Sequence, residues 1–150
     1  YSGTANAWNN PDVIAKFAPA MKKYAPILKA VNEAGYQVET KVAVSGKRSN
    51  QILLERWGTS PATGLYLTCR NTSKQPAEVV LTFKESDFLN LSSNIQHTPN
   101  QAMMEEAARK KISQVSELVD GNSVVMEKNG EITTLRFTLP AERTQVINLQ

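Results

Sequence analysis

Two stretches with a strict two-residue period limit what this chain can fold into. Leu65, Leu67 and Cys69 alternate with Tyr66, Thr68 and Arg70, and Val79, Leu81 and Phe83 alternate with Val80, Thr82 and Lys84. Alternation of this kind places all the apolar side chains of a strand on one face, which must then be buried against a second layer. Further extended segments follow the same logic. Val38 to Val44 alternates, Ile52 to Trp57 is a second candidate strand closed by Gly58, Ser60 and Pro61, and Thr144 to Leu149 offers a last strand. Asn129-Gly130 joins Val124–Lys128 to Glu131–Leu139 as a hairpin, because both turn residues tolerate positive φ. The linker Asn71 to Pro76 turns the third strand back on the fourth. Short strands with turns between them favour a sandwich over a parallel sheet, which needs a crossover helix between most strands.

Helical spacing brackets these strands. Asn10-Pro11 is a start signal: asparagine accepts from free N–H groups, and proline at the first helical position sacrifices no bond. Ile14, Phe17, Met21, Tyr24, Leu28 and Val31 then follow at steps of three and four, and Gly35 is suited to a C-cap. Pro19 and Pro26 interrupt the run, so two short helices or one kinked helix are expected. Pro99 to Leu118 again shows helical spacing, through Met103, Ala107, Gln114 and Leu118, and reads as a helical insertion between strands. The expected fold is mainly β with flanking helices: an antiparallel β-sandwich over 36–150 with a helical insertion near 99–118, behind an N-terminal helical segment over 1–35.

The 150 residues are enough for one domain with a sizeable core. A net charge of +3 spread along the chain argues against nucleic acid as a partner. The one tight basic run, Arg109-Lys110-Lys111, follows Glu105 and Glu106 at pairing distance on a helix. No apolar run reaches the roughly 18 to 20 residues that span a bilayer, so no membrane insertion is expected. Tyr1 opens neither a charged nor an apolar leader, and the sequence reads as a mature or excised piece.

The chemistry-bearing residues form no catalytic constellation. His97 is the sole histidine and lies in a polar stretch; Cys69 is the sole cysteine and falls on an apolar strand face, where an inert buried thiol is expected. A small enzyme built on Cys69 and His97 is one reading of that pair. Glu85, Asp87, Glu105, Glu106 and Asp120 supply carboxylates without marking out the facing pair that glycoside hydrolysis uses. Phosphate-binding, zinc-hydrolase and serine-elbow signatures are missing from the sequence, so no catalytic residue, metal or cofactor is assigned. Asn71-Thr72-Ser73 and Asn90-Leu91-Ser92 match the glycosylation sequon, the first reading more readily as a turn. Trp8, Trp57 and Tyr66 are the candidate carbohydrate contacts, since a flat aromatic face stacks on a sugar ring. Against that, Trp8 and Trp57 also fit a helix–sheet junction.

Several of these segments resemble one family. Phe17 to Thr40, with KKYAPILKAVNEAGY at its centre, is similar to the last helix of a (β/α)8-barrel glycoside hydrolase leading out of the barrel. Leu54 to Gly58 with Gly64 to Thr68, and then Arg70 to Pro76, resemble the opening hairpin of the C-terminal β-sandwich in such enzymes. Glu117 to Gly121, Phe137 to Pro140 and Thr144 to Leu149 resemble its final strands. Ser86 to Ser116 departs from the pattern by its length. The resemblance implies a non-catalytic C-terminal accessory domain that stabilises a catalytic barrel of the same polypeptide, shapes its cleft, and works in carbohydrate metabolism in an extracellular or periplasmic setting. The catalytic carboxylates of that family belong to barrel strands, and none is carried over here. The alternative is a free-standing carbohydrate- or protein-binding β-sandwich module.

Overall fold

The computed structural model describes residues 11–88 and 111–150. Among the described residues, a 24-residue helix, α1 (Pro11–Ala34), leads into nine strands, a short α-helix and a 3-10 turn at Ser49–Gln51. The strands are β1 (Tyr36–Gln37), β2 (Ala43–Ser45), β3 (Ile52–Ser60), β4 (Gly64–Asn71), β5 (Ala77–Lys84), β6 (Val115–Glu117), β7 (Val125–Asn129), β8 (Ile132–Leu139) and β9 (Thr144–Leu149). The one-turn helix α2 (Glu85–Phe88) follows β5. One sheet has the order β1-β3-β4-β9-β6 and the other β2-β5-β8-β7, with every pairing antiparallel. The expected class, mainly antiparallel β with flanking helices, is the observed one.

The alternating faces meet between the two sheets. Leu65, Leu67 and Cys69 from β4, with Ile147 and Leu149 from β9, pack with Val79, Leu81 and Phe83 from β5 and Leu135, Phe137 and Leu139 from β8. All are buried. At about 1.5–3 kcal/mol for each large apolar side chain removed from water, this layer is the main source of stability.

Two expected connections differ. The segment Val38 to Val44 is not one strand: β1 pairs with β3 in the first sheet and β2 with β5 in the second. The chain crosses between sheets at Lys41, whose φ of 55° breaks the extended run. Arg56, buried and turned inward, fixes this crossing by donating from Nε and Nη2 to the Glu39 carbonyl. Its guanidinium also lies 4.9 Å from the Phe88 ring centre. Similarly, Asn71 to Pro76 does not fold β5 back beside β4 but carries the chain from one sheet to the other.

The hairpin at Asn129-Gly130 forms one residue later than expected. Asn129 pairs with Ile132, which leaves Gly130 and Glu131 as the loop, and only Gly130 takes a positive φ, 61°. That is the pattern of a type II′ turn with glycine in its first central position. In the expected helix Pro99 to Leu118, residues 99–110 lie outside those described. Val115–Glu117 is a strand paired with β9. There the alternation of Val115 and Glu117 with Ser116 wins over helix propensity, because the free edge of β9 supplies ladder partners.

The prolines do not divide α1. Pro19 and Pro26 release the carbonyls of Ala15 and Lys22, four residues earlier, and both of those residues are exposed, so water can take the unused acceptors. The C-terminal end of α1 sits on the outer face of the first sheet. Gly35, with φ of 83°, ends the helix as a left-handed cap and accepts from the Gly58 N–H at 2.7 Å. Gly58 marks a register shift in β3. A Cβ there would run into the Gly64 carbonyl and approach the Ala34 Cβ to 3.3 Å, at a φ of 82° that L side chains rarely adopt. Gly58→Ala is therefore expected to cost at least about 2 kcal/mol, a fall in Tm of about 5 °C or more by thermal unfolding; an unchanged Tm would contradict this account of the bulge.

Candidate functional site

Between α1 and the outer face of the first sheet lies a groove of about 680 Å³. Ile27, Leu28 and Val31 form one wall; Leu53 and Trp57 of β3 and Val146 of β9 form the floor. These strand residues point outward because Ile52, Leu54 and Arg56, and Gln145, Ile147 and Leu149, take the inward positions. Val31 is the one buried residue of the helix. Leu53 and Val146 were not singled out from the sequence. The signal available was the run Ile52-Leu53-Leu54, apolar at consecutive positions, which puts apolar side chains on both faces of β3.

A polar chain runs along the groove floor. Trp57 Nε1 donates to Thr68 Oγ1 at 3.3 Å, and that hydroxyl donates to Glu55 Oε2 at 3.0 Å. The Trp57 ring meets Tyr36 edge-on, with centroids 5.2 Å apart. Trp57 thus sits at the helix–sheet junction, anchored by its N–H. Tyr66 is its cross-strand partner and half-buried, but stands against Gly64 rather than in the groove. Trp8 lies outside the described residues. Of the three aromatic candidates, then, Trp57 lines the groove and Tyr66 neighbours it.

The helix is held to the sandwich a second time. Asp120 Oδ1 accepts from Lys23 Nζ at 2.8 Å, and this hydrogen bond raises the Lys23 ammonium and lowers the Asp120 carboxyl from their ordinary values. Glu117 positions the loop: its buried carboxylate accepts N–H groups from Val119, Asp120 and Asn122. Asp120 is therefore a helix anchor. Glu85 is likewise structural. Burial works against its charge, yet hydrogen bonds from Lys128, the Ile112 N–H and Thr133 outweigh burial and hold the carboxyl below its usual range.

Glu55 is the single carboxylate among the described residues lining the groove, so no facing acid pair is brought together there. Among the described residues, no three His, Cys, Asp or Glu side chains group as a metal site, and no helix is long and apolar enough to cross a membrane. The first sequon is consumed by the fold. Asn71 is fully buried, and its Nδ2 donates to the carbonyls of Gln75, Leu139 and Pro140 while its Oδ1 accepts from the Ser73 N–H. A glycan on that nitrogen is incompatible with the folded state.

Cys69 is buried between the sheets, where desolvation pushes its thiol up to about 12. His97 lies outside the described residues. Iodoacetamide at pH 8 is expected to leave Cys69 unmodified in the folded protein and to alkylate it fully in denaturant, read by intact mass; rapid alkylation of the native state would contradict its burial. Comparison with protein-family models, with curated proteins and with solved structures gives no match to this chain.

Proposed function

We propose that the chain is a non-catalytic C-terminal accessory region of a carbohydrate-active glycoside hydrolase, its sandwich buttressing a catalytic barrel of the same polypeptide through α1. One observation carries this reading. The C-terminal third of α1 packs on the sandwich, whereas Ile14, Phe17, Met21 and Leu28 are 51%, 50%, 57% and 65% exposed. Tyr36, Val38, Leu53, Val125 and Ile132 are exposed elsewhere, but the four on α1 stand in one row, and a contiguous apolar patch of this kind marks an interaction site. A helix with one end on the sandwich and a row of apolar side chains left uncovered suits a connector between two bodies. In this reading the sandwich stiffens the helix, the helix transmits that stiffness to the barrel, and catalytic carboxylates lie outside this sequence. An extracellular or periplasmic setting belongs to the same proposal.

The groove beside Trp57 favours a second reading, a free-standing module that binds carbohydrate or a protein segment. The two part on the size and activity of the native product. Immunoprecipitation from source cells with an antibody to this chain should recover a polypeptide several hundred residues longer, active on an aryl glycoside, while the isolated chain turns over none. A native product near 16.6 kDa, or glycoside turnover by the isolated chain that one carboxylate substitution abolishes, would overturn the accessory reading.

A further inference from the structure

Asn129 is the only asparagine in the sequence that a glycine follows. Such a pair is reactive as well as turn-forming. The backbone nitrogen of the next residue can close a five-membered ring onto the side-chain amide carbon, and glycine puts no side chain in the way of that attack. The fold decides where the ring can form. Asn71 is buried with its amide on three carbonyls, and the following Thr72 N–H donates to the Gln51 carbonyl. After Asn50, the Gln51 N–H donates to the Arg48 carbonyl. Asn32 lies within α1 and Asn148 within β9, so regular structure fixes the peptide that follows each.

Asn129 is the opposite case. It is exposed at the end of β7, and its pairing with Ile132 closes the ladder, so the Gly130 N–H falls outside it. Among the described residues that N–H makes no backbone hydrogen bond, and a Cβ placed on Gly130 would meet nothing within 4 Å. Solvent therefore reaches this peptide, and it can rotate toward the ring geometry at the expense of one closing pair. Asn122 is exposed too, but the side chain of Ser123 crowds the attacking nitrogen. The acid counterpart Asp120-Gly121 is held differently: the Asp120 carboxylate is paired with Lys23, and an ionised carboxylate resists attack by an amide nitrogen.

We infer that Asn129 is a modification site, where the side-chain amide is lost spontaneously in the folded protein and aspartate and isoaspartate accumulate at the tip of the β7–β8 hairpin. The Gly130 nitrogen gives its proton to solvent base and bonds to Asn129 Cγ; the amide nitrogen takes a proton from solvent and leaves as ammonia, forming a succinimide. Water then adds at one of the two ring carbonyl carbons and breaks that carbon's bond to the Gly130 nitrogen. Opening at the backbone carbonyl restores neither the old chain path nor its length: the chain runs through Cγ as isoaspartate, one methylene longer. Opening at Cγ gives ordinary aspartate. Among the described strands β7 pairs only with β8, so the register of this edge strand rests on the turn. The next pair inward, Lys128 with Thr133, supplies two of the hydrogen bonds on Glu85. The inference is independent of both readings of function.

Timed incubation of the folded chain at neutral and at mildly alkaline pH tests it, with peptide mass mapping for the acid and enzymatic methylation for isoaspartate. The expected result is conversion at Asn129 ahead of every other asparagine, to a mixture of the two acids, at a rate that rises in proportion to hydroxide. Asn129→Gln should abolish the isoaspartate, because the extra methylene demands a six-membered ring. Conversion first at Asn122 or another site, conversion at Asn129 only once denaturant is added, or aspartate without isoaspartate overturns the inference. Hydrogen exchange in the isoaspartate form is expected to be at least about threefold faster along β7 than in the unmodified protein; unchanged exchange overturns the link from the turn to the edge strand.

Discussion

Everything else in this protein depends on the apolar contact between two antiparallel sheets whose chain crosses from one to the other. A sandwich of this kind must manage each crossing without leaving backbone groups unpaired in a dry interior. Two buried polar side chains do that here. Arg56 donates to the Glu39 carbonyl at the first crossing, and Asn71 gathers the Gln75, Leu139 and Pro140 carbonyls at the second. These two buried polar side chains are thus tied to connectivity.

The outer face of the first sheet carries the groove and the helix beside it. The groove floor is apolar at Leu53, Trp57 and Val146, and Ile27, Leu28 and Val31 of α1 border it, with Val31 buried and Leu28 and Leu53 largely exposed. The helix reaches well past that contact. Lys23 and Asp120 hold its middle by an exposed ion pair, a weak contact that solvent and salt screen. Toward Pro11 the helix presents Ile14, Phe17 and Met21 to solvent. An isolated helix of this length, interrupted by two prolines, has little intrinsic reason to persist. Burial of the exposed row against a further body would supply that reason, and the accessory reading proposed above grows from it.

The strands were legible because alternation is a direct record of burial on one face: β4, β5 and β9 lie where Leu65 to Arg70, Val79 to Lys84 and Thr144 to Leu149 place them. The helix ending at Gly35 was legible from the same physics at a different period. What the residues did not reveal was which strands share a sheet. Asn71 to Pro76 is compatible with a hairpin and with an inter-sheet arch, and the difference lies in the long-range bonds of Asn71 to the end of β8. Val115 to Glu117 misled because its strand character comes from the edge of β9, a neighbour distant in sequence. The groove was half legible: Trp57 stood out as an aromatic, whereas Val146 reads as an ordinary strand residue until the helix is laid over it.

The central claim is that α1 is built to be covered on the row that the sandwich leaves open. Hydrogen exchange along that helix, in the isolated chain and in the native product recovered from its source, tests this most directly. The account predicts that amides from Ile14 to Met21 exchange much faster than those from Ile27 to Ala34 in the isolated chain, and that the difference disappears in the native product. Equal protection along the whole helix in the isolated chain, or a Pro11 to Met21 segment that stays fast in both, would contradict it.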